Sequence, residues 1–117
     1  MFEKDMQNIL DIKESINKII NYTKDIHNFE QFEDNLLVID AVLMNIVTIG
    51  ESVARLSKDF RKRNDKIEWA KIKGLRNIIA HDYFGIDIEE IWQIVKYKIP
   101  ELNLLIDEIL KKEYQSE

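Results

Sequence analysis

The sequence predicts an all-α fold, an antiparallel bundle of four to five helices in a single domain spanning residues 1–117. Three observations carry this. Only three Gly and one Pro punctuate the 117 residues, too few turn residues for a sheet of short strands. Apolar residues recur at three- and four-residue intervals over most of the chain, the period of a helix with one buried face. No competing strand pattern of alternating apolar and polar residues stands out.

The first helix is expected from about Glu3 to Asp25. Met6, Ile9, Ile12, Ile16, Ile19, Ile20 and Ile26 make its apolar stripe. His27–Asp34 reads as a connection with at most one short turn, and His27 itself as structural or solvated. The second helix is expected from about Asn35 to Phe60. Leu36, Ile39, Leu43, Ile46, Gly50 and Val53 form one stripe, and Leu37, Val42, Val47, Ile49, Ala54 and Leu56 widen it. So broad an apolar surface suggests burial on two sides, against the bundle and against a second subunit. Arg61–Lys66 is a charged connection.

The third helix should begin near Glu68 or Trp69 and run to about His81, with Gly85 available as a left-handed cap. Asp87 has the place of an N-cap, with Glu90 three residues on. The last helix carries Ile88, Ile91, Trp92, Val95 and Ile99. Pro100 should kink or split it before Leu102, Leu105, Ile106, Ile109 and Leu110 continue the stripe. The tail after Lys112 is expected to fray. Trp69 and Trp92 read as core or interface rather than as base-stacking platforms.

Hydrophobic residues make up 45% of the chain and charged residues 33%, ordinary values for a soluble globular protein. A chain of this size buries a modest core, and a dimer interface would extend it. There is no cysteine. That rules out disulfides and thiolate metal sites and fits a reducing cytoplasm. The charged start, Met1-Phe2-Glu3-Lys4-Asp5, has no apolar run behind it and does not read as a signal peptide. Leu36–Ala54 is the longest apolar stretch, but Asp40, Asn45 and Glu51 interrupt it. An acidic group at mid-bilayer costs about 2.5–3.5 kcal/mol, so a buried helix is expected and not a membrane span.

The net charge of −5 argues against a protein dominated by nucleic-acid phosphates. Its distribution is uneven. Arg55 to Arg76 holds nine Lys and Arg against three acids, a net of six positive charges on an otherwise acidic chain. Such a strip is either a solvated helix end or a local hold on RNA.

One segment carries candidate chemistry. Arg76, Asn77, His81, Asp82 and Tyr83 fall within eight residues. Imidazole moves protons near neutral pH, guanidinium clamps a phosphate and stabilises charge building on it, and a phenol donates a hydrogen bond or accepts a transferred group. On an ideal helix Arg76 and His81 sit roughly 140° apart, whereas Arg76 and Tyr83 share one face and Asn77 and His81 another. Either the helix end distorts, or two copies of the segment build one site across a two-fold axis. Glu51 and Arg55, four apart, can form a helix ion pair or support the cleft. Asp82, Asp87, Glu89 and Glu90 have no recognised metal spacing, and no Gly-rich phosphate loop exists.

Arg76, four residues, His81, one residue, Tyr83 resembles the motif of the HepT-like branch of the HEPN superfamily, toxins of MntA/HepT toxin–antitoxin pairs. The surrounding text resembles it too: Ile49-Gly50-Glu51, Arg55-Leu56-Ser57, Trp69 with Ile72, Gly74-Leu75-Arg76-Asn77, Tyr83-Phe84-Gly85 with Asp87, Trp92 and Pro100-Glu101-Leu102. The chain departs from the pattern at Met44 and Val47, where relatives often carry charge. The resemblance implies a HEPN-like homodimer that cleaves RNA without metal or cofactor, by attack of the 2′-hydroxyl. Arg76 and His81 would be catalytic, with Asn77, Asp82, Glu51 and Arg55 in support. Tyr83 would accept AMP from an MntA-like nucleotidyltransferase antitoxin, silencing the toxin. No DNA or membrane partner is implied. The alternative is a non-catalytic nucleotide-binding or accessory subunit of such a nucleotidyltransferase.

Overall fold

A computed structural model describes residues 3–115. All its regular structure is helical. The order is α1 (Glu3–Thr23), α2 (Phe29–Glu33), α3 (Leu36–Arg55), α4 (Lys58–Arg63), α5 (Trp69–His81), a 3₁₀ turn (Tyr83–Gly85), α6 (Ile88–Gln93), a π-helical stretch (Ile94–Lys98) and α7 (Ile99–Gln115). The helical stretches α1, α3, α5 and α6 through α7 make the body, as the apolar spacing predicts.

The apolar stripes explain the packing. Ile9, Ile12, Ile16 and Ile19 of α1 are fully buried against α3, each removing apolar surface from water. Val42, Leu43, Ile46, Ile49 and Val53 are the buried face of α3. The predicted stripes overreach at four positions, because Ile20, Leu36, Leu37 and Ala54 face solvent. The helix Leu36–Arg55 is long and apolar enough by composition to cross a membrane, and its apolar character is used in packing against α1 and α5. The body measures 46 × 29 × 19 Å. Its thin dimension is about two helix diameters, so α3 and α5 each keep one face open.

The single helix expected from Asn35 to Phe60 is in fact two. It breaks at Leu56–Ser57, where Ser57 caps α4 by accepting a hydrogen bond from the Phe60 amide (3.1 Å). Asp5 fixes that break from the far end of α1. Its carboxylate accepts from the Ser57 amide and from the Ser57 hydroxyl, both at 2.8 Å. The Arg61–Lys66 connection is correspondingly half helix, since α4 runs to Arg63.

Three other ends follow local chemistry. Asn28 and Asn35 cap α2 and α3, so the His27–Asp34 connection holds a short helix; Phe32 of that helix is buried against Trp92, ring centroids 5.2 Å apart. Asp87 caps α6 as predicted. Pro100 does not split the last helix, whose helical backbone runs on through it. The π-helical turn at Ile94–Lys98 precedes it, and this wider turn accommodates a ring with no N–H to donate. The helix then continues to Gln115, past the expected fraying point at Lys112; residues 116–117 lie outside the described residues.

Asp5→Ala removes the acceptor for two Ser57 donors and leaves a buried amide unpaired. We expect a loss of about 1–3 kcal/mol in urea-induced unfolding. Unchanged stability would show that the break at Ser57 does not depend on this contact.

Candidate active site

The site begins with a close approach. α5 runs antiparallel to α3, with Arg76 against Gly50 and Tyr83 reaching back to Asp40. A Cβ on Gly50 would overlap the Cβ and Cγ of Arg76, so only glycine lets the helices meet this closely. The approach delivers Arg76 to Glu51, the residue after Gly50. Nη1 of Arg76 donates to Oε1 of Glu51 at 2.8 Å. The Arg76 side chain is 20% exposed and that of Glu51 42% exposed. Nε of Arg76 is buried without a partner among the described residues. Nη1 is therefore committed and Nε is shut away from solvent, so any further partner of this guanidinium must come to its remaining Nη hydrogens.

Of the two readings offered for Glu51 and Arg55, the helix ion pair is not formed among the described residues. Glu51 turns to Arg76 instead, because a cation held against Gly50 by packing outcompetes a flexible one on the same helix. Arg55 is exposed, without a carboxylate partner among the described residues.

His81 ends α5 and is exposed. Asn77, one turn earlier, is exposed on the same face. The helix stays regular through His81, so Arg76 and His81 are about 140° apart around its axis and roughly 7.5 Å apart along it. The structure does not bring these two predicted residues onto one point within a single chain.

Tyr83 does not share a helix face with Arg76, as a continuous helix would require. The helix stops at Asp82, whose carboxylate accepts from the Gly85 amide at 3.0 Å and closes the 3₁₀ turn. Gly85 is not the left-handed cap expected of it. Its φ is not positive, and a Cβ there would meet only the Asp82 carboxylate, the far end of a flexible side chain, which would have to shift. The turn aims the Tyr83 hydroxyl at α3, where it donates to Oδ1 of Asp40. This hydrogen bond, then burial and the carboxylate's charge, raises the phenol above its ordinary value of 10.0. Asp40 is the residue that sequence reasoning missed. It registered only as an interruption of an apolar run, 43 residues from its partner.

The open face around these groups is apolar. Leu37 and Met44 of α3, Ile78 of α5 and Phe84 beside Tyr83 are all exposed, Phe84 at 99%. Gly74, a turn before Ile78, has nothing within 4 Å of the position a Cβ would take. By contrast, Trp69 and Trp92 are core, as predicted, and His27 is exposed. No group of three or more His, Asp or Glu gathers as metal ligands among the described residues.

Comparison with known proteins gives one consistent result. The family model described as ribonuclease HepT-like matches residues 12–109. A Methanocaldococcus jannaschii protein named "Putative RNase" is 39% identical over 103 residues, covering 87% of this chain and 94% of its own. A "Putative RNase" of Caldanaerobacter subterraneus subsp. tengcongensis is 37% identical over 86 residues, 74% of this chain and 77% of its own. A Thermococcus cleftensis protein named "Probable ribonuclease HepT" is 32% identical over 101 residues, 86% of this chain and 91% of its own. No solved structure matches.

Two outcomes follow. Gly50→Ala forces α5 off α3 and should cost about 1–3 kcal/mol in chemical unfolding; a neutral result would mean that Arg76 has room to retreat. The Tyr83 phenol should ionise above pH 10.0, read as the difference in ultraviolet titration between the wild type and Tyr83→Phe. Asp40→Ala should bring that step down. Because the folded value is raised, the stability this contact supplies is present below the unfolded value and is lost as pH climbs through the folded one. A Tyr83 step at or below the ordinary value would contradict the assignment.

Proposed function

The chain belongs to the HepT-like ribonuclease family, and on that premise we propose that it is the toxin of a toxin–antitoxin pair, a metal-independent endoribonuclease whose site is completed by a second copy of the chain in the cytoplasm. The observation that carries the reading is the divergence of Arg76 and His81 on an unbroken helix. One chain cannot direct both at a single phosphate. Two chains related by a two-fold axis can, with each supplying what the other aims away. The exposed apolar residues beside the motif, Leu37, Met44, Ile78 and Phe84, supply a surface for that pairing.

In this reading RNA lies in the groove between the subunits. A neutral His81 imidazole takes the proton of the 2′-hydroxyl as its oxygen attacks the adjacent phosphorus. Arg76 stabilises the pentacoordinate phosphate, and Glu51 keeps the guanidinium in place. The protonated His81 of the other copy gives its proton to the departing 5′-oxygen. The bond from phosphorus to that oxygen breaks, leaving a cyclic phosphate and a 5′-hydroxyl. The first imidazole ends protonated and the second neutral, and exchange with water resets both. Asn77 lies on the His81 face and orients the phosphate or the imidazole. Asp82 holds the turn that follows His81. Arg55 lies beyond Glu51 along α3 and meets flanking phosphates.

Tyr83 is the regulatory residue. Tyr83 is 41% exposed, and its hydroxyl is already hydrogen-bonded to a carboxylate. An MntA-like nucleotidyltransferase antitoxin transfers AMP to it. The phenol oxygen attacks the α-phosphorus of ATP, Asp40 receives the proton, and pyrophosphate leaves. The new phosphodiester removes the donor that tied the turn to Asp40 and sets a negative charge where the RNA backbone would lie.

Purified protein should cleave single-stranded RNA in EDTA. Arg76→Ala and His81→Ala should each lose at least about a hundredfold in rate, the usual scale for a lost acid–base or charge-stabilising group, while keeping the wild-type circular dichroism. Mixing wild type and His81→Ala in equal amounts under subunit exchange separates one-chain from two-chain sites. A site needing both imidazoles leaves only about a quarter of the dimers active, against about half of the sites if each chain works alone. Full activity in His81→Ala, or an activity abolished by EDTA, would overturn the reading. Absence of cleavage together with tight nucleotide binding would favour the accessory subunit.

A further inference from the structure

We propose that α4 and the first turns of α5 form a phosphate-binding strip, separate from the cleavage chemistry, that holds the single-stranded RNA flanking the cut. The inference deepens the ribonuclease reading and rests on it for the identity of the polyanion.

The folded chain sorts the charges of this region in a way the sequence leaves open. Its acids are largely consumed locally. Asp59 is bound by Arg63 at 3.0 Å and Glu68 by Lys71 at 2.7 Å. The pairing of Glu68 is close enough to lower its pKa, through the hydrogen bond and charge of Lys71. Arg55, Lys58, Arg61, Lys62, Lys66 and Lys73 have no carboxylate partner among the described residues. Asp65, exposed in the same turn, is the one acid of the stretch left without a cation. Nε of Arg61 is buried with no hydrogen-bond partner among the described residues, so this side chain is anchored by its stem without a carboxylate to answer its charge among them.

Topology gathers these cations at one end of the molecule, with Lys66 on the side that borders Glu108 and Lys112 of α7. Trp69, at the start of α5, donates from Nε1 to the Asn64 carbonyl at 3.1 Å, and its ring lies 6.3 Å from that of Phe60. α4 is therefore clamped to the N-terminal end of α5. Lys73 stands one turn before Arg76 on α5. Arg55 stands one turn beyond Glu51 on α3, and the two helices run antiparallel through the Gly50–Arg76 contact. Both cations thus lie on the α4 side of the Arg76–Glu51 pair. A chain of phosphates leaving Arg76 in that direction meets positive charge continuously over about 10 Å, the rise from Trp69 to Arg76. The strip offers charge without a stacking platform, because Phe60 and Trp69 are buried. Binding should therefore be insensitive to base identity.

The test measures binding apart from cleavage. A fluorescent single-stranded RNA of about a dozen nucleotides, near the upper site size of small RNA-binding folds, is titrated into His81→Ala protein at several salt concentrations. Adding Lys58→Ala, Lys62→Ala and Lys66→Ala should weaken binding at least tenfold at low salt. It should also flatten the slope of log K against log salt by about 2, the counterion release expected for three lost phosphate contacts on a single strand. Neutralising Lys24 and Lys111, exposed on other helices or loops, should change the slope little. In protein with His81 intact, the triple change should raise KM for the long RNA and leave cleavage of a dinucleotide unchanged. An unaltered slope, or an equal effect from Lys24 and Lys111, overturns the strip, whatever acidic protein the region then binds. Strip-dependent binding by a chain that cuts no RNA would instead sink the cleavage reading and leave the strip standing.

Discussion

The contact between Gly50 and Arg76 is the constraint on which the rest of the site depends. It sets how closely α5 lies on α3, and that closeness hands Arg76 to Glu51. A guanidinium held this way has spent little of its donor capacity and has lost most of its freedom to move. Preorganised charge of this kind is what stabilises a developing phosphorane, since it need not reorganise as the charge appears. The same contact fixes the register of the two helices, which is why Tyr83 arrives at Asp40 rather than a turn away.

Much of the fold was legible because helical periodicity is a local signal. The α1 stripe, the start of α5 at Trp69, the Asp87 cap and the buried tryptophans could all be read from spacing. The break at Ser57 could not. Leu56-Ser57 sits inside a run that continues the apolar period, and a serine there is equally at home within a helix. The residue that decides the matter is Asp5, 52 positions away, whose carboxylate satisfies two Ser57 donors. Propensity yields to a tertiary hydrogen bond in such cases. Pro100 shows the complementary limit. The sequence marks the place of the disturbance but not its form, and a π-turn absorbs the ring without splitting the helix.

The same division runs through the site. Residue types and spacing single out Arg76, His81 and Tyr83, and helix geometry alone warns that the first two diverge. What spacing cannot supply is the identity of partners. From spacing Glu51 can either pair with Arg55 or support the cleft, and the structure has it serve Arg76 on the neighbouring helix. Asp40 reads only as an interruption of an apolar run, yet it holds the Tyr83 hydroxyl. In both cases a carboxylate on α3 answers a group on or just after α5. The exposed face of α3 is thus better understood as the rail along which α5 is positioned than as surplus polarity in an apolar helix.

Taken along the common axis of α3 and α5, these features have an order. Leu37, Met44, Ile78, Tyr83 and Phe84 crowd the end where α3 begins and α5 finishes. The Arg76–Glu51 pair lies further along, at Gly50. Arg55 and the cations of α4 occupy the end where α3 finishes and α5 begins. A second copy seated on the apolar end would cover little of the basic one. Placing both functions at the same end would set the two demands against each other, because like charges brought together across a two-fold axis repel and would have to be desolvated. In the proposed dimer, separating them would let an apolar contact complete the site while the cations stayed hydrated and free to exchange counterions for phosphates. The net charge of −5 would strengthen the distinction, since a polyanion held by the proposed strip would be repelled from an otherwise acidic surface.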